Sequence, residues 1–158
     1  MRKYFVMIAA VIALPILIPI EWCAFWTYTE YVGFETTGFI SAYGIYFAPN
    51  GATTYLGYLY TIAGMLPIAG SALLFVDLAV DKRVISAIGG LLLIAGPITW
   101  IFAHINGESL IQVLTSIPPG SHIFIGEFGG TTSWTITWGF FFPIVGGMTG
   151  LFGAGGRK

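Results

Sequence analysis

Four apolar stretches dominate this sequence, at 4–22, 55–76, 84–105 and 134–152. Each holds about 20 residues, the length that lets an α-helix cross a hydrocarbon core of about 30 Å. A backbone in lipid must satisfy its own hydrogen bonds, so all four are predicted to be helices. The expected fold class is an all-α membrane protein. It is a four-transmembrane-helix bundle with a small extracytoplasmic β-hairpin or sheet and a short interfacial helix. Residues 1–158 form one membrane domain, with outer loops at 23–54 and 106–133.

Composition agrees with a lipid environment. Charged residues are 8% of the chain, against about 25% in soluble domains. Apolar residues reach 56% and the mean hydropathy is +0.86. Such a chain lacks the residues for a polar shell. No basic patch suggests nucleic acid. Cys23 is the only cysteine, which excludes an internal disulfide and a CxxC pair.

The 6 Lys and Arg residues fall at Arg2, Lys3, Lys82, Arg83, Arg157 and Lys158. With four spans, these positions share one side of the membrane. The positive-inside rule then puts both termini and the "DKR" turn in the cytoplasm of a multi-pass cell-membrane protein. The apolar run at 4–22 exceeds a typical signal-peptide core and is followed by no small-x-small site, so it is expected to be retained.

The first outer loop contains "GFISAYGIYFAPNGATTYLGYLY", two β-prone runs around a turn at Ala48–Gly51. Pro49 and Asn50-Gly51 suit a hairpin. In the second loop, "NGESLIQVLTSIPPG" reads as a short helix opened by Asn106 or Gly107 and stopped by Pro118-Pro119. "HIFIGEF" reads as a strand that joins the hairpin. Both loops are apolar and lack Lys and Arg, which predicts packing on each other or on another subunit.

Candidate chemistry is sparse. Glu21 and Asp77 lie near opposite ends of the apolar core and read as helix ends that reach the interface. His104 and Glu108 stand at i, i+4, and His122 and Glu127 follow in the same outer loop. Imidazole and carboxylate suit zinc, copper or iron, so these four, with Glu21, are the candidate metal ligands. The two histidines could also ligate haem, although no cofactor is the simpler expectation. Trp22, Trp26, Trp100, Trp134 and Trp138 gather toward the outer ends of the spans, as an anchoring belt does. Gly146, Gly147, Gly150 and Gly153 in the last span, and Gly89, Gly90 and Gly96 in the third, form small faces that allow close helix approach. No phosphate-cradling loop, GxSxG elbow or HExxH helix is present.

Four spans, a long strand-forming first outer loop and inner termini resemble the topology of claudin-like tetraspan proteins. The claudin loop carries a cysteine pair where this chain has Cys23 alone, and "EWCAFW" does not reproduce its tryptophan-containing motif. No family assignment follows.

The expected function is a non-catalytic structural or accessory membrane subunit. Its partners are the lipid bilayer and other membrane subunits or copies of itself, engaged through the glycine faces and the apolar loops. The alternatives are a redox or metal-binding subunit with a site at His104 and His122, and a small-molecule channel through a proline-kinked bundle.

Overall fold

A computed structural model describes residues 2–18, 23–31, 35–107, 111, 115, 117–118 and 124–155. Its helices are α1 (Arg2–Ile12), α2 (Tyr58–Val80), α3 (Arg83–Asn106) and α4 (Trp138–Gly155), with a 3-10 turn at Leu14–Leu17. The strands are β1 (Trp26–Tyr31), β2 (Glu35–Ile40), β3 (Ile45–Phe47), β4 (Thr53–Tyr55), β5 (Gly126–Phe128) and β6 (Thr132–Ile136). They form one antiparallel sheet in the order β4-β3-β2-β1-β6-β5.

This architecture corrects the all-α four-span expectation. Among the described residues three helices, not four, are long and apolar enough to cross a membrane: α2, α3 and α4, with 23, 24 and 18 residues. The stretch 4–22 does not form one long helix. α1 has 11 residues, a rise of about 16 Å. Pro15 stands three residues after its last residue, within the first positions of the 3-10 turn. A proline there has no N–H for the carbonyl one turn back, and its ring crowds that carbonyl. The stretch at 134–152 loses its first residues to the sheet, since Trp134–Ile136 belong to β6 and α4 begins at Trp138.

The six-stranded sheet is also larger than the expected hairpin. β3 and β4 flank the "APNG" turn. There Gly51 N–H donates to the Ala48 carbonyl at 2.9 Å, and Ala52 N–H donates to Asn50 Oδ1 at 3.0 Å. Gly51 follows at φ 83°, a conformation open to glycine without steric cost. β1 and β2 precede this hairpin, and β6 joins the two outer segments by pairing with β1: Trp26 lies opposite Ile40 on one side and Ile136 on the other. The expected short helix at 106–117 falls mostly outside the described residues. Within them, Ile111 N–H donates to the Gly107 carbonyl and Thr115 N–H to that of Ile111, at 3.0 and 2.9 Å.

α2 and α3 make a tight hairpin. Asp81 takes the left-handed conformation (φ 54°) and its N–H donates back to the Asp77 carbonyl at 2.8 Å, which closes the helix as an αL cap does. Small residues set the spacing of the bundle. A Cβ on Gly70 would sit 2.7 Å from the Gly89 carbonyl oxygen, and one on Gly90 would sit 2.8 Å from that of Gly147. A Cβ on Gly146 would sit 2.9 Å from the Ala9 carbonyl oxygen of α1. Backbones touch at these points, so dispersion contacts and not bulky side chains hold the helices together.

Two apolar clusters result. Val6, Ala9, Ala10, Ala13, Leu74 and Leu93 fill the bundle. The larger cluster joins the inner face of the sheet (Trp26, Tyr28, Ile40, Tyr46, Trp134) to one end of the bundle (Tyr60, Trp100, Phe140). The other end of the bundle carries the start of α1 and the α2–α3 turn, which Arg2 links directly to Asp77 and Asp81.

Candidate functional site

The sheet end of the bundle places His104 at the centre of an aromatic nest. His104 lies in the last turn of α3, one turn after Trp100, so both side chains share a face. Their rings stack at 4.4 Å with planes 16° apart. Trp26 from β1 approaches at 5.6 Å, Phe124 at 5.2 Å and Tyr60 of α2 at 6.4 Å, centroid to centroid. Tyr60 Oη lies 3.3 Å from His104 Nδ1. Phe25 and Phe140 stand edge-on to Trp100, at 5.6 and 5.9 Å. Edge-on and offset rings are the favoured aromatic geometries. His104 and Trp100 are both fully buried, and Trp100 Nε1 has no hydrogen-bond partner among the described residues.

The other residues of the candidate metal set do not join His104 within the described chain. Glu127 sits in β5 opposite Ser133, on the face away from Trp134, and is exposed. Glu108, His122 and Glu21 lie outside the described residues, as does Trp22. Among the described residues, no three His, Cys, Asp or Glu side chains gather as a metal site would need. Cys23 is buried, and burial pushes its thiol above the ordinary value, which suppresses thiolate chemistry.

The opposite end holds a buried ion pair that the sequence did not announce. Arg2 Nη2 donates to both carboxylate oxygens of Asp77, at 2.7 and 2.6 Å, and to Ser86 Oγ at 3.1 Å. Ser86 Oγ donates in turn to Asp77 Oδ2 at 2.5 Å, and Arg2 Nη1 bonds Asp81. Asp77 is 1% exposed and Ser86 is fully buried. Asp77 is therefore no solvated helix end but the centre of a junction of α1, α2 and α3. The local signal was an acid one turn before the end of an apolar helix. Its partner stands 75 residues away, and no local pattern names it.

The glycines singled out in α3 and α4 all face the chain's own helices. Gly96 lies under the Pro67 ring, Gly147 against Gly90 and Ile94, Gly150 near Gly90 and Leu74, and Gly153 beside Val6. Pro67, Pro97 and Pro143 stand inside their helices and are buried.

This geometry supplies rigid packing, a buried charge junction and an extended sheet. The sequence matches no protein-family model, and no curated protein is detectably similar to it.

Proposed function

We propose that this chain is a non-catalytic structural or accessory subunit of a membrane complex or homo-oligomer, multi-pass in the cell membrane. Its Lys- and Arg-bearing end, with both termini, faces the cytoplasm and its sheet faces outward, so that the segment leading from α1 to β1 passes through the membrane beside α2, α3 and α4. The orientation is supported by Arg2, which ties the amino end to the α2–α3 turn that carries Lys82 and Arg83. The Val6–Gly153 contact brings the carboxyl end of α4 to the same place. Positive charge favours the cytoplasmic side.

One observation carries the assembly reading. β5 is an outer strand of the sheet, three residues long; its Phe128 and the preceding Ile125 are 56% and 66% exposed. An outer strand offers unpaired backbone groups, and exposed apolar side chains beside it mark a contact surface. The small helix faces are used within the chain, so the contact with partners passes through the sheet and the lipid-facing side chains.

Extraction in a mild detergent followed by mass measurement of the particle tests this. The expected result is a particle larger than one chain and its detergent, which Ile125→Glu and Phe128→Glu together dissociate. A particle with a single copy and no other protein, extracted from native membranes, overturns the reading.

A further inference from the structure

The inner face of the sheet is apolar along Trp26, Tyr28, Ile40 and Trp134, but β1 places one carboxylate on it. Side chains two apart along a strand share a face, so Glu30 follows Trp26 and Tyr28. Glu30 is half-buried, and its backbone is paired on both sides, to Thr36 and Thr132. A cleft of about 240 Å³ opens beside it, with Tyr28, Thr36, Tyr46, Asn50 and Thr115 as its other principal walls.

The cleft is a built feature. Tyr46 reaches across β2 because position 38 is glycine: a Cβ there would stand 2.9 Å from Tyr46 Oη and 3.2 Å from Pro49 Cδ. Tyr28 Oη donates to Glu30 Oε2 at 3.4 Å, and Thr36 Oγ1 donates to the Glu30 carbonyl at 3.2 Å. Burial, followed by Tyr28 and Glu30, pushes the Tyr46 hydroxyl up to about 12, which places these three groups within electrostatic reach of one another.

Glu30 forms no ion pair among the described residues; both ion pairs there belong to Arg2. Nor does the sequence place any Lys or Arg between Lys3 and Lys82 or between Arg83 and Arg157. A half-buried carboxylate favours an opposite charge, and the described residues of the sheet supply none. Trp26 meets His104 at the bundle end, and Glu30 lies four residues farther along β1, about 13 Å away. That distance separates the cleft from the helix ends and favours a soluble ligand over a lipid headgroup.

We propose that this cleft binds a small primary-ammonium compound. The ammonium would donate to the Glu30 carboxylate and to phenol and threonine oxygens, with the tyrosine rings as walls. An ammonium has three donors and no acceptor, which matches a site made of acceptor oxygens. One carboxylate is too little for a dedicated divalent-cation cage. The cleft is smaller than sites for drug-sized ligands, about 300–1,000 Å³, so the ligand is a short alkylamine. The proposal is independent of the assembly reading.

The test is ligand-observed saturation-transfer NMR on the intact protein in detergent, with propylammonium chloride as probe and 1-propanol as its neutral counterpart. Saturable propylammonium binding is expected, with 1-propanol unable to compete. Glu30→Gln should weaken binding about tenfold or more, the scale of one charged hydrogen bond. Gly38→Ala should weaken it by displacing Tyr46, and Tyr46→Phe gives a second variant that keeps the ring should Glu30→Gln fail to fold. Phosphatidylethanolamine nanodiscs distinguish the lipid source: loss of propylammonium binding there, but not in phosphatidylglycerol nanodiscs, overturns the soluble assignment. Absence of saturable binding, equal competition by 1-propanol, or unchanged binding in folded Glu30→Gln overturns the site.

Discussion

Arg2, the second residue of the chain, sets its Nη2 against both carboxylate oxygens of Asp77 at 2.7 and 2.6 Å, deep at the junction of three helices. The two arms of the guanidinium divide between two carboxylates, Nη2 on Asp77 and Nη1 on Asp81, and Ser86 Oγ donates to Asp77 as well. Such pairs bring geometric specificity together with energy. Here the specificity is the seat of α1: a helix too short to span is fixed by its first residue to the α2–α3 hairpin.

Breaking this pair leaves a buried charge alone. Asp77→Ala or Arg2→Ala is expected to cost about 3–5 kcal/mol, whereas the double change Arg2→Met with Asp77→Leu recovers most of the loss. Asp81→Asn removes the charge of a partner that is 55% exposed, keeps a residue that tolerates the left-handed cap, and should cost under about 1 kcal/mol. Denaturant unfolding in a fixed detergent, followed by tryptophan fluorescence, measures all four. Equal losses for Asp77→Ala and Asp81→Asn would contradict this assignment.

The glycine contacts make a second expectation. A methyl on Gly147 would stand 2.7 Å from the Gly90 carbonyl oxygen, a backbone atom that moves only if α3 and α4 separate. Gly147→Ala should therefore destabilise by about 1–3 kcal/mol, the usual cost of overpacking. Gly155→Ala, with nothing within 4 Å, should leave the melting temperature unchanged or slightly raised. Thermal melts of the two variants side by side provide the comparison.

Trp100 separates cavity cost from hydrogen-bond cost. Its Nε1 is buried with no partner among the described residues, so Trp100→Phe loses volume without orphaning an acceptor. Trp100→Ala should cost about 3–5 kcal/mol, and Trp100→Phe clearly less. His104 stacks on the indole, so the imidazole proton signals in NMR should shift in both variants. Identical losses for the two changes would show that the nest does not depend on ring volume.

The Tyr46 hydroxyl gives an alkaline signature. Burial raises it from 10.0 to about 12, so the folded state retains a proton that the unfolded state has lost between these values. Its neutral form is thus equally available to both states below pH 10, and stability falls as pH rises from about 10 toward 12. Tyr46→Phe should flatten this part of the stability profile. Phenolate absorbance during a pH titration, with and without the substitution, locates the transition.

Some of this fold was legible in the sequence because its causes are local. The apolar runs that became α2 and α3 carry enough length to form helices wherever they are inserted, and "DKR" marks the turn between them. The "APNG" turn likewise needs only Pro49, Asn50 and Gly51 to bend the chain between β3 and β4. The candidate sites were less legible. His104 could be singled out as the histidine at the end of α3, one turn after Trp100, but its other neighbours come from β1, α2 and Phe124, which no spacing connects.

What the tertiary structure decided were the elements whose fate depends on distant partners. "TSWTI" is apolar enough to begin a helix, and it is also β-branched and aromatic. It became β6 because Trp134 and Ile136 find Tyr28 and Trp26 opposite them, more than a hundred residues earlier. The apolar stretch at 4–22 carried enough hydrophobicity to span, but Pro15 ended α1 early, and the short helix then depended on Arg2 and on the Ala9–Gly146 approach for its place. Apolar length and turn chemistry act within a few residues, so the sequence alone determines them. Strand pairing, ion pairing and helix seating are choices among remote partners, and only the folded chain brings those partners together.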